Sequence, residues 1–145
     1  MRILMAVGKT TVNENLLTTF VSGFRHENGQ VLVLHILEPV EPVAAPEMAQ
    51  DYAPELEDEK QPACTLVERI AAELNRIGFT VRTEVVIGDI TQTILDTAAA
   101  WPADLIVVGS RGQKGIREFL LGSIADSVAR RAGCSVAIVR PPFSS

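Results

Sequence analysis

A chain of 145 residues with 47% hydrophobic content is long enough to form one domain, 1–145, around a core of its own. A formal charge of −5 argues against a nucleic-acid partner, because such a surface needs net positive charge to displace phosphate counterions. No apolar run reaches the roughly 18 residues of a membrane-spanning helix, so no membrane partner is expected.

The opening MRILMAV has one basic residue, a brief apolar stretch and no small-residue cleavage site, so it reads as a first strand rather than a signal peptide. Further runs rich in Val, Ile and Leu fall at 30–37, 80–87, 104–108 and 135–140. Those at 31–37 and 104–108 are almost continuously apolar, as strands covered on both faces are. Helical spacing fills the gaps. A first helix over 12–26 aligns Leu16, Leu17, Phe20, Val21 and Phe24. A second, over 64–77, aligns Leu66, Val67, Ile70, Ala71, Leu74 and Ile77 and stops at Gly78. A third, over 90–100, uses Ile94, Leu95 and Ala98, and a fourth begins at Ser123. Residues 38–62 break the pattern. They hold five prolines and eight of the 18 acidic residues, and read as a flexible, solvated crossover loop.

The order βαβαβαβαβ predicts an α/β three-layer sandwich: an open parallel five-stranded sheet with about four helices. Ligands of such sheets bind beyond the carboxyl ends of the strands. Gly8, His35, Gly88 and Gly109 fall there. The richest segment is 109–123, GSRGQKGIREFLLGS, in which Gly109, Gly112 and Gly122 lie between an apolar strand and a helix. Gly109 lets the chain fold over a ligand, Gly112 lets backbone N–H groups approach phosphate oxygens, and Gly122 opens the helix without a side chain in the way. The helix start supplies unpaired N–H groups and partial positive charge, so the segment describes a phosphate cradle. Ser123 can cap the helix or donate its hydroxyl to a phosphate, and the two uses compete for one oxygen. Arg111 is the best-placed cation; Lys114 and Arg117 read equally well as solvated.

Other chemistries are excluded by particular residues. Gly8-Lys9-Thr10 resembles the end of a P-loop, but Ile3 stands where its first glycine belongs. A phosphate-receiver domain needs acids where Gly8 and Gly88 stand, and Asp89 reads as a helix cap. His26 reads as a surface or capping residue, and His35 as a structural one hydrogen-bonded to backbone. No triad, acid–base carboxylate pair or metal-ligand set is legible. Cys64 and Cys134 lack metal or redox spacing and read as reduced structural thiols, which makes the cytoplasm the default compartment.

The spacing G-x2-G-x9-G-S, with Leu120-Leu121 before the last pair, resembles the ATP-binding motif of the universal stress protein family. The likeness extends to ILMAV, VLHILEP, the Val86-Ile87-Gly88-Asp89 turn and the closing ARRAGCSVAIVR. It implies a Rossmann-like, adenine nucleotide alpha hydrolase-like fold with strand order 3-2-1-4-5. It also implies nucleotide contacts from Ala6, Gly8, Gly115 and Ile124, and main-chain contact of Ile36 with adenine. Gly8 departs from the family, which carries an aspartate there for ribose or metal, so Mg2+ dependence is doubtful. Gly133-Cys134-Ser135 replaces the family's proline-cysteine-proline turn. The last strand, with Val136, Ala137, Ile138 and Val139, is implied to pair with its twin in a homodimer, and an exposed apolar edge needs such cover. The expected function is a small cytoplasmic ATP-binding stress-response protein. It would act as a dimeric sensor read by a protein partner, not an enzyme, with slow hydrolysis at most. The alternative is a nucleotide-free dimeric interaction protein that docks partners through 38–62.

Overall fold

The structure is a computed structural model that describes residues 1–8, 29–39, 52–110 and 122–139, with the backbone alone for 52–57. Its elements are β1 (Arg2–Val7), β2 (Gln30–Leu37), α1 (Tyr52–Arg76), β3 (Thr80–Ile87), α2 (Ile90–Ala100), β4 (Leu105–Gly109), α3 (Ser123–Arg131) and β5 (Ser135–Val139). The expected helix over 12–26, with His26, lies outside the described residues, as do Lys9 and Thr10.

The five strands form one parallel sheet in the order β3-β2-β1-β4-β5. Side chains alternate across it. Ile3, Met5, Val31, Val33, Leu105 and Val107 face one layer, where Val67, Ile70 and Leu74 of α1 cover them. Leu4, Leu32, Leu34, Ile106 and Val108 face the other, under Ile94 and Ala98 of α2 and Ala125 and Val128 of α3. Both faces of β1, β2 and β4 are therefore dry, which is why their sequences are almost unbroken apolar runs. The expected three-layer sandwich and its strand order are what the chain adopts.

The largest departure concerns 38–62. Expected as a flexible loop throughout, it turns helical at Tyr52, so 52–62 forms about three turns of α1. The stretch 55–61, ELEDEKQ, consists almost entirely of helix formers, and a proline at 54 falls in the first turn, where no N–H is needed. Pro62 lies inside the helix and removes one bond to residue 58, an exposed position where water can take its place. Residues 40–51 lie outside the described ones.

The other end of α1 closes as expected at Gly78, whose φ of 111° suits glycine alone. The Gly78 N–H donates to Asn75 O (3.1 Å) and the Phe79 N–H to Leu74 O (3.1 Å), a Schellman closure that buries Phe79 against the core. Ile77 was expected in the core stripe but is 44% exposed, because the helix ends one residue earlier and the turn carries it outward. Asp104, expected inside β4, instead precedes it. Its N–H donates to Arg2 O (2.8 Å) and its carboxylate accepts from Arg2 N (2.8 Å), so it clasps the start of β1.

Candidate functional site

The chain reverses its winding direction at β1, which is flanked by β2 on one side and β4 on the other. In an open parallel sheet the crevice beyond the carboxyl ends at this switch is where ligands bind. Gly8 and Ser110 are the residues that leave β1 and β4 there.

On the β4 side the backbone organises the site. Gly109, half-buried, pairs with Val139 as the last residue of β4. Ser110 follows and is 6% exposed. Its N–H donates to Val139 O (2.9 Å), and its carbonyl accepts the Gly122 N–H (2.8 Å). The segment 111–121 therefore leaves and rejoins the described structure at one hydrogen bond. Arg111, Gly112 and Gly115 fall in that segment, outside the described residues.

Gly122 is the N-cap of α3, with extended φ −60° and ψ 154° and no side-chain cap. Its carbonyl takes the first intrahelical bond, from Asp126 N (3.0 Å). The helix itself offers no acceptor to the amides of Ser123, Ile124 and Ala125, which point off its start. Ser123 is thus the first helical residue, not the cap, and the capping use of its hydroxyl falls away. It is exposed, and Ile124 half-buried. Asp126 in the first turn is held by Arg130 (Nε 3.1 Å from both carboxylate oxygens), which offsets its charge beside the helix start.

On the other side, β1 ends at Ala6-Val7-Gly8. Ala6 is half-buried; Gly8 is exposed, and a Cβ there would meet nothing within 4 Å. The Val7 carbonyl accepts from Nδ1 of His35 (2.7 Å), the residue paired with Val7 across β1 and β2. His35 is 3% exposed, and the next residue, Ile36, is buried. The reading of His35 as a backbone-bonded histidine holds. The third strand end joins the same rim: Gly88 N–H donates to Leu37 O (3.0 Å), and Asp89 caps α2 by accepting from Gln92 N (2.9 Å), as its position suggested.

The structure thus brings Ala6, Gly8, Ile36, Gly109, Gly122, Ser123 and Ile124 to the carboxyl end of one sheet. Ser110 is the participant that sequence reasoning missed. It works through its backbone, and the available signal was its place directly after the last strand residue. Beside the opposite sheet end, burial and then the Asp104 carboxylate raise the pKa of the Cys134 thiol, which favours its protonated form. Both cysteines are free and half-buried. Among the described residues no group of three or more His, Cys, Asp or Glu side chains could hold a metal ion.

The family model described as "Universal stress protein family" matches residues 1–140. Among similar proteins, Universal stress protein Sll1388 of Synechocystis is 28% identical, covering 96% of this chain and 97% of its own. Universal stress protein MJ0531 of Methanocaldococcus jannaschii is 37% identical over 60% of this chain and 49% of its own. Among solved structures, MJ0577 of M. jannaschii superposes with a TM-score of 0.81 at 24% identity, over 99% of this chain and 97% of that one. An Arabidopsis thaliana universal stress protein family member with AMP bound gives 0.69 at 20% identity, over 97% and 92%. The universal stress protein of Archaeoglobus fulgidus in complex with dAMP gives 0.57 at 22%, over 96% and 97%. At these identities the structural likenesses establish the fold.

Proposed function

Since the chain belongs to the universal stress protein family, we propose that it binds an adenine nucleotide, ATP first among them, at the carboxyl end of its sheet. The observation that carries this reading is the start of α3. Its first amides lack a side-chain cap, and the Gly122–Ser110 bond holds them beside the end of β4. A helix start of this kind favours phosphate. The AMP complex of the Arabidopsis relative and the dAMP complex of the Archaeoglobus one support the choice of an adenine nucleotide.

The residues fit such a ligand. Phosphates would lie on the amides of Ser123 and Ile124 with the Ser123 hydroxyl. Arg111, Gly112 and Gly115, outside the described residues, would supply the rest of the cradle by the sequence motif, and Gly109 would provide the turn into it. Adenine would lie between the ends of β1 and β2, against Ala6, Gly8 and the main chain of Ile36. Gly8 supplies no carboxylate for ribose or Mg2+, so the phosphate side provides most of the affinity and metal dependence is weak. Around the crevice His35 commits its Nδ1 proton to Val7 and Asp126 is paired with Arg130. Neither is arranged to activate water, and the protein acts as a cytoplasmic binder and regulator rather than an enzyme. Among the described residues strand β5 has a ladder partner on one side only, with Val136, Ala137 and Ile138 half-buried, and it pairs with its twin in a homodimer. Nucleotide occupancy would then be read by a protein partner.

The test is calorimetric titration with ATP, with and without Mg2+, on protein stripped of co-purified nucleotide. Dissociation constants near micromolar, about −8 kcal/mol, are expected. A folded, ligand-free sample that takes up no ATP at millimolar concentration would overturn the reading in favour of a nucleotide-free protein that docks partners through 38–62.

A further inference from the structure

We infer that His35 is the positioning residue of the adenine subsite. The inference rests on the nucleotide reading above. Two polar residues, His35 and Ser110, are buried among the described ones, and each ties together two strand ends at the site. Ser110 does so with its backbone, as any residue could. His35 does it with a side chain, so the residue type at 35 carries information.

The geometry is specific. Val7 is the last residue of β1, and the backbone that follows it, Gly8, would border the adenine and ribose. Ile36, which would meet the adenine with its main chain, directly follows His35. The ring of His35 sits between these segments, with Nδ1 2.7 Å from Val7 O. A carbonyl only accepts, so Nδ1 carries the proton and the ring is fixed in one tautomer and one orientation. The Val7 carbonyl is thereby held toward His35 of β2. This fixes the peptide plane between Val7 and Gly8, and with it the direction in which β1 leaves the sheet. Gly8 makes this constraint matter: without a side chain, its backbone is permissive. A family aspartate would restrict that turn; in this chain the neighbouring strand supplies a restriction through His35.

The experiment compares His35→Leu with His35→Asn, since the Asn side-chain amide can place a donor close to where Nδ1 lies. ATP affinity is measured by calorimetry well below each variant's melting temperature, and melting temperatures are recorded alongside. His35→Leu should weaken ATP binding about tenfold, because the Val7–Gly8 peptide would then have to be ordered on binding, a cost of about 1.4 kcal/mol. His35→Asn should recover most of that loss. Unchanged affinity in a less stable His35→Leu protein would make His35 a structural residue only and overturn the inference. Equal weakening in both variants would overturn it too, because shape rather than the hydrogen bond would then matter. Should His35→Leu fail to fold, nitrogen-15 spectra of the unmodified protein decide the case. A proton on Nδ1 with and without ATP is expected; a proton on Nε2 alone contradicts the inference. Failure of the nucleotide reading itself is seen separately, as absence of ATP binding by the unmodified chain.

Discussion

The amide of Gly122 lies 2.8 Å from the carbonyl oxygen of Ser110, and the Ser110 amide lies 2.9 Å from the carbonyl of Val139. The start of α3, the exit of β4 and the end of β5 are therefore linked through the backbone of one residue. A side chain at 122 would grow from the start of α3, where the proposed phosphate cradle closes. Gly122 has φ −60°, which any residue adopts, so its backbone conformation does not by itself require glycine. Gly122→Val should lower ATP affinity by at least about tenfold, the equivalent of 1.4 kcal/mol. The fold should persist, and with it the proposed dimer. Wild-type affinity in a folded Gly122→Val protein would remove the α3 start from the site.

Gly8 offers the converse test. A Cβ there meets nothing within 4 Å, and its φ lies outside the left-handed region. Gly8→Asp should therefore leave stability within about 0.5 kcal/mol of the parent. The added carboxylate can accept from ribose hydroxyls or ligate Mg2+. ATP should bind more tightly, and the gain should grow with Mg2+. Titrations of the two proteins with and without the metal check this; identical isotherms would mean that the missing carboxylate does not limit binding.

Among the described residues strand β5 is the outer strand on the β4 side; its half-buried Val136 and Ile138 pack on the layer under α2 and α3, and Ala137 on the layer under α1. Charge placed there should disfavour pairing between copies of the chain more than it disturbs the core. Ala137→Asp or Ile138→Lys should move the sedimentation mass from dimer to monomer while circular dichroism stays unchanged. A mass that does not move would separate the dimer from this edge.

What the sequence revealed follows from which forces act locally. The strands at 31–37 and 105–108 are dry on both faces, so their composition announces them. Gly78 and Asp89 end and start helices through contacts within a few residues, and both were legible. The helix over 52–62 was not. Its prolines and acidic residues have the composition of a loop, whereas the propensity of 55–61 and the harmless position of residue 54 decide the conformation. Ser123 looked like a cap because serine favours that position. The structure places Gly122 there because its amide must reach Ser110, a contact that no side chain signals. Ile77 completed an apolar stripe on paper, yet the Gly78 turn carries it into solvent.

The rim between β3 and α2 supports a stability prediction. A Cβ at Gly88 would lie 2.8 Å from Thr93 Oγ1, an atom on a β-branched side chain with little room to turn. Gly88→Ala should destabilise by about 1–3 kcal/mol, as overpacking does. Thr93→Ala should recover much of this in the double variant, since the obstructing oxygen is then gone. Urea melts of the four proteins complete the cycle. Additive losses would place the strain elsewhere.

Cys134 gives the pH dependence its sign. Burial, and then the Asp104 carboxylate, raise its pKa. In the unfolded chain the thiol titrates at its ordinary value of about 8.5. As pH climbs past that value the unfolded chain loses the proton before the folded one does, so stability falls. The contribution is fully present below the ordinary thiol pKa and is lost as pH rises through the raised one. Cys134→Ala removes this linkage. The wild type should therefore lose more stability than the variant between about pH 7 and pH 10, a span that brackets the thiol. Urea melts at the two ends measure it. Equal losses in the two proteins would assign the alkaline decline to other groups. With Asp104→Asn, which keeps the shape of the clasp on Arg2 without the charge, the alkaline loss should shrink but not vanish, because burial remains the larger cause.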